Sequence, residues 1–447
     1  MNTSFHFKYT RQAIGIFLLF MGNPLIFFFK EVAGFGGSSV FTLICYALGL
    51  LLMISSDDIF KNFYKPNLPL YRLSAIYMAV ILFNYFFANP YWGWSGDRST
   101  FYRDLGNYIL IFGFFFMLLS VSNEVTNYFV PIVVVLTFLG SICLIYSMIT
   151  NPYFVLGQRA TVVFGDGTTT ASGNPHVYAR NAFGGIISSY IMLKSQKSLW
   201  RIFSLANMVL SVVVLVLTQA RSISLTFFIT LVIFVYYNVS IKSVQNGIIN
   251  LFKLRNIILI VLLVSGIAYF ISTQVKLMAI INLYYDGFWG NFSKAFLTAS
   301  GQQTASTVDY SALGRVNKFA TFKKTLFEEP YNMILGKGYR FLYMDIPILE
   351  TLIDCGIVAF VSFGLMAWVM FKESIKAIKR ESRPFTTFLG YYFMCYFITL
   401  ATGGEPYGVS YWFIFCVMIR FIGIKYLSPI AQPRQKNAPN PLPVVTT

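Results

Sequence analysis

Ionisable side chains are so rare in the apolar stretches of this 447-residue chain that each one at the edge of a stretch is a candidate for chemistry. Five local patterns hold the candidates. In Leu217-Thr218-Gln219-Ala220-Arg221-Ser222 a turn with almost no loop joins two long apolar runs, which sets Arg221 at a membrane boundary. A snorkelling interfacial arginine would look the same. Leu313-Gly314-Arg315 opens an expected surface helix in a long polar segment, where a basic residue is equally at home as plain solvated charge. Glu329-Pro330 leads into Gly336-Lys337-Gly338-Tyr339-Arg340, two glycines flanking a lysine as in a tight turn. The Gly-Lys-Ser/Thr order and strand–helix setting of a nucleotide loop are both absent. Asp345-Ile346-Pro347 stands where a long loop re-enters an apolar run, and Asp345 has an N-cap role open to it, with Pro347 in the first helical turn. Asn174-Pro175-His176, with Arg159 and Arg180 near it in sequence, follows a flexible Gly-, Ser- and Thr-rich stretch. Arginine dominates these patterns. It stays charged at any working pH and offers a planar fork to phosphate oxygens, so the chemistry they suit is the handling of phosphate.

The elements that must position these residues follow from composition. Only 11% of the residues are charged, against about 25% in a soluble domain, and 56% are hydrophobic. A chain this long and this poor in charge cannot cover its apolar side chains with its own polar surface, so lipid must be the solvent. Apolar runs near 12–30, 37–54, 72–89, 104–122, 128–149, 181–194, 199–218, 221–238, 255–273, 347–371, 385–402 and 407–427 approach the roughly 20 residues that span a bilayer core as helix. The expectation is an all-α polytopic membrane protein with about 12 transmembrane helices across 1–430. The tail 431–447, with Pro433, Pro439, Pro441 and Pro443, is low-complexity and expected to be disordered. Lys8 and Arg11 precede the first run as in a signal sequence, but no small-x-small cleavage site follows, so the segment reads as a retained first helix.

Basic residues orient the chain. With the N-terminus inside, the cytoplasmic segments hold 20 of the 34 lysines and arginines, and the short outer segments hold 6. The other 8 lie in one long outer loop, roughly 274–346, where the rule does not apply. Both termini are therefore expected in the cytoplasm. All five patterns then fall at the outer face, in or beside loops of about 150–180 and 274–346. Aromatic-rich pieces of the longer loop, from Leu283 to Phe292 and along Val316, Phe319 and Leu326, are expected to lie on the membrane surface. The net charge of +17 points to anionic lipid headgroups as partners, and nucleic acid is not expected. Cys45, Cys143, Cys355, Cys395 and Cys416 all sit in apolar segments without a CxxC pair, and His6 and His176 are the only histidines. Neither a disulfide framework nor a metal centre is expected.

Taken in order, the patterns resemble a family. "NPHVYAR" at 174–180, "LTQARS" at a tight outer turn, "LGR" in a long outer loop, "EEP" leading to "LGKGYR", then "MDIPILETLIDCGIVAF" resemble the superfamily of bacterial O-antigen polymerases and O-antigen ligases. The likeness spans roughly residues 155–365. It implies a glycosyltransferase-C-like enzyme that takes a glycan from undecaprenyl diphosphate at the periplasmic face of the inner membrane. The family's ligases carry His-Asn where this chain has Asp345-Ile346, and its polymerases often carry an acidic residue or another substitution there. The resemblance therefore favours a polymerase of O-antigen or exopolysaccharide repeat units, with undecaprenyl-diphosphate-linked glycans as substrates and a chain-length regulator as a further partner. No metal or other cofactor is called for.

On this reading Arg221 and Arg315 bind the diphosphate, and Asp345 accepts or orients the proton of the attacking hydroxyl. Arg159, His176, Arg180, Lys337 and Arg340 are the further diphosphate- and substrate-binding candidates. Two other activities fit the same membrane architecture. One is an O-antigen ligase delivering glycan to lipid A-core. The other is a lipid-linked oligosaccharide flippase, which needs a polar path that the helix interiors, sparse in charge, do not offer. A non-enzymatic scaffold leaves the outer arginines unexplained.

Overall fold

The computed structural model describes residues 7–35, 39–54, 63–88, 98–163, 174–195, 197–238, 275–302, 310–380 and 383–424, with five single positions between 258 and 269. Among them every regular element is a helix: α1 Phe7–Phe20, α2 Asn23–Glu31, α3 Ser39–Met53, α4 Leu68–Phe87, α5 Arg98–Ser120, α6 Thr126–Thr150, α7 Pro175–Leu193, α8 Ser198–Thr218, α9 Arg221–Asn238, α10 Val275–Ala299, α11 Tyr310–Glu328, α12 Pro347–Arg380, α13 Pro384–Thr399 and α14 Val409–Phe421. Single turns occupy Asn123–Val125 and Asn332–Leu335. Six helices (α4, α5, α6, α8, α9 and α12) are long and apolar enough to cross a bilayer, and α1 with α2 makes a seventh if the pair is one broken span. The chain is a multi-pass helical membrane protein. The run expected at 255–273 and the tail at 431–447 lie outside the described residues.

Several expected boundaries are corrected. The run 12–30 is two helices bent by 73°, not one. Pro24 lacks an N–H, and in a continuous helix its ring would collide with the carbonyl one turn earlier. The loop drawn as 150–180 ends at Asn174, whose side chain accepts the His176 N–H at 2.9 Å and so starts α7 at Pro175. His176 and Arg180 therefore stand on a helix. The long loop 274–346 is mostly helix, as α10 and α11.

The second broken helix builds one end of the molecule. At Gly356 φ is 79° and ψ −175°, which interrupts α12. The neighbouring carbonyls of Ile353 and Asp354 accept the N–H groups of Lys337 at 2.8 Å and Gly338 at 3.0 Å. An unmet backbone group at membrane depth costs several kcal/mol, so a broken span survives only where protein covers it. The cover is tight. A Cβ on Gly336 would lie 2.2 Å from the Asp354 carbonyl oxygen, and one on Gly356 would lie 2.3 Å from that of Ile334.

Elsewhere the bundle is held by close packing and buried polar contacts between helices. Asn181 of α7 donates to the Thr137 carbonyl of α6 at 2.9 Å, and Asn207 of α8 donates to Ser189 of α7 at 2.9 Å. Hydrogen bonds of this kind tie helices together where lipid removes the hydrophobic drive for association. At one end of the bundle the fully buried Arg420 caps α5 through the Leu118 and Val121 carbonyls, at 3.0 and 3.2 Å. Gln12 and Met53 meet at that end too, joining the start of α1 to the end of α3. The opposite end gathers Ala88, Asp104, the 217–222 turn, the start of α7, the 336–347 segment and Glu405.

Candidate functional site

The basic half of the site is assembled around the α8–α9 turn. Gln219 closes α8 in the left-handed conformation, φ 47°, and Arg221 begins α9 two residues later. The 151–163 segment lies against this turn. The Ala160 N–H donates to the Leu217 carbonyl at 2.9 Å, and Gln219 Nε2 donates to the Gly157 carbonyl at 2.9 Å. Arg159 is thereby brought beside the turn. On its other side Ser222 Oγ lies 3.3 Å from His176 Nδ1, which ties the start of α9 to the start of α7. Arg180, one turn further along α7, donates from Nε to the His176 carbonyl at 3.2 Å and from Nη1 to the Tyr396 hydroxyl at 3.4 Å.

His176 reports on the whole group. It lies in the polar first turn of α7, ahead of the apolar stretch. Burial pushes its imidazole down to about 4, and the positive charges of Arg180, Arg159, Arg315 and Arg221 push the same way. The positive charges of four arginines from separate segments thus all act on one neutral histidine.

The acidic half lies where α11 meets the entry to α12. Asp345, in the left-handed region at φ 60°, is not a helix cap. The helix starts at Pro347, and Glu350 reaches back to accept the Met344 N–H at 3.0 Å. The Asp345 carboxylate instead takes Lys318 Nζ at 3.1 Å and Arg315 Nε at 3.9 Å, both from α11. Lys318 also lies over the Tyr343 ring at 4.2 Å. Burial and the adjacent Asp345 carboxylate raise the Tyr343 phenol.

Lys337 and Arg340 are drawn into structure. Lys337 pairs with Glu329 at 2.6 Å. Arg340 pairs with Asp104 at 2.9 Å and Glu405 at 3.1 Å. Asp104 is 2% exposed and also accepts the Tyr339 hydroxyl at 3.2 Å. The Tyr339 N–H donates to the Ala88 carbonyl at 3.0 Å. The Gly-Lys-Gly-Tyr-Arg turn is therefore a clasp between α4, α5 and the break in α12. Lys318, Asp104 and Glu405 were not singled out by their sequence setting.

Among the described residues no three His, Cys, Asp or Glu side chains come together as a metal site would need. An apolar cleft of about 280 Å³ between α1, α6 and α8 is lined by Ile14, Pro131, Val135 and Trp200 among others, and by none of the arginines. No protein-family profile matches the chain, and no curated protein matches it. What the arrangement can do is hold a multiply charged anion beside a neutral imidazole and a paired carboxylate.

Proposed function

We propose that this chain joins undecaprenyl-diphosphate-linked oligosaccharide repeats at the periplasmic face of a bacterial inner membrane, releasing undecaprenyl diphosphate. The reading includes about a dozen spans with both termini in the cytoplasm, as the charge bias requires. The observation that carries it is the convergence of Arg159, Arg180, Arg221 and Arg315 on His176 from four separate segments. Gathering four positive charges, two of them on the exposed Arg159 and Arg315, costs mutual repulsion. It suits a ligand that brings negative charge of its own, such as a diphosphate with its lipid tail in the bilayer.

The acceptor hydroxyl attacks the anomeric carbon of the donor, and the bond to diphosphate breaks with its electron pair. Negative charge grows on the leaving oxygen, where forked, permanently charged arginines stabilise it. A single displacement inverts the anomeric centre. Asp345 holds Lys318 and Arg315 in register and orients the acceptor, while the clasp at Lys337 and Arg340 shapes the wall of the site.

The test is genetic and chemical. A strain lacking the chain should accumulate single repeats on its carrier lipid and lose long surface glycan. The wild-type chain should restore it. Arg221→Ala and Arg315→Ala should each fall short by on the order of 100- to 1,000-fold in rate, and Arg221→Lys should rescue poorly, because a point charge does not replace the fork. Long chains on the carrier of the deletion strain would reject polymerisation and indicate ligation.

A further inference from the structure

The proposed transfer must dispose of a proton, and two groups at the outer end invite comparison. The Asp345 carboxylate is already matched by Lys318 at 3.1 Å and Arg315 at 3.9 Å, so its charge is engaged before any substrate arrives. His176 is half-buried and neutral, and a neutral imidazole keeps one accepting nitrogen. Its Nδ1 faces Ser222 Oγ at 3.3 Å, and among the described residues no side chain is hydrogen-bonded to Nε2. In the tautomer that donates Nδ1–H to the serine, Nε2 is the nitrogen left to accept.

We propose that His176, and not Asp345, takes the proton of the attacking hydroxyl, and that it becomes competent to do so when the donor's diphosphate occupies the arginine group. This rests on the reading of that group as a diphosphate site. The charges facing the imidazole are Arg180 from α7, Arg159 from the 151–163 segment, Arg221 from α9 and Arg315 from α11, with Asp345 bound to Arg315. On their own the arginines oppose protonation. A diphosphate among them reverses the sign of the local field, so proton affinity rises at the moment the leaving group is in place. The hydroxyl proton then moves to Nε2 and the hydroxyl oxygen bonds to the anomeric carbon. The pair of the broken C–O bond stays on the diphosphate. When undecaprenyl diphosphate leaves, the arginines again disfavour the imidazolium, and its proton passes to the departing phosphate or to water.

The chain has two histidines, so His6→Gln leaves His176 as the only imidazole in the full-length protein. Ring-labelled histidine in detergent micelles can be titrated by NMR with and without inorganic pyrophosphate, whose binding is measured separately by calorimetry. Pyrophosphate should raise the midpoint of His176 by at least about one pH unit, a tenfold gain in proton affinity. His176→Gln should reach the membrane at the wild-type level yet make no long glycan, whereas Asp345→Asn should retain some polymer. Pyrophosphate that binds without moving the midpoint overturns the inference and leaves the diphosphate site standing. Absence of pyrophosphate binding overturns both. Long glycan from His176→Gln also overturns the inference, whatever the titration shows.

Discussion

Gly356→Ala tests whether the end that carries the arginines is built on the break in α12. At φ 79° and ψ −175° the backbone lies in a region open almost only to glycine, and a side chain there costs about 1–3 kcal/mol. The new Cβ would stand 2.3 Å from the Ile334 carbonyl oxygen and 2.8 Å from the Leu335 carbonyl carbon. Both are backbone atoms that cannot swing aside, which adds about 1–3 kcal/mol of overpacking. The expected loss is therefore about 2–6 kcal/mol, a large share of the roughly 5–15 kcal/mol that holds a folded domain together. Gly364 lies in the same helix, and a Cβ there meets nothing within 4 Å. Gly364→Ala should be neutral or stabilising by up to about 1 kcal/mol. Thermal unfolding of the two purified variants in the same detergent, followed by fluorescence-detected size exclusion, gives the comparison. If Gly356→Ala melts together with Gly364→Ala and the wild type, the 336–340 turn is not seated on the break as described, and the placement of the entry to α12 fails with it.

Reporters fused at residue 300 and residue 378 should report opposite sides of the membrane, periplasmic and cytoplasmic, because the expected topology puts 20 basic residues on one side against 6 in the short segments of the other. The same side for both would remove the topology and the outer site together. Arg340→Ala should destabilise the protein by about 3–5 kcal/mol, since it strips the buried Asp104 of its closest cation. Combining it with Asp104→Leu should recover much of that loss in the same melting assay, and a double variant no better than the single one would show that Arg340 acts elsewhere.

Some of this architecture is written locally. Arg221–Asn238 is the helix that the apolar run and the tight Gln219-Ala220 turn call for, and Ser198–Thr218 differs from its expected start by one residue. Helix termini are less local. α7 begins six residues before its apolar stretch because Asn174 caps it, and a cap contributes nothing to hydropathy. The break at Gly356 was equally hidden, because glycine inside an apolar run is compatible with an unbroken helix until the backbone that approaches it is known.

The sequence by itself determined that the chain is helical and lipid-solvated, and which basic residues can stand at helix ends, since these follow from composition and from patterns a few residues long. Which of those residues act together was decided only by tertiary structure. Arg340 and Asp104 are 236 positions apart, and nothing around either announces the other. The same is true of Lys318 on Asp345, and of four arginines around His176. Charge pairing depends on distance in space, and the packing of remote helices sets that distance.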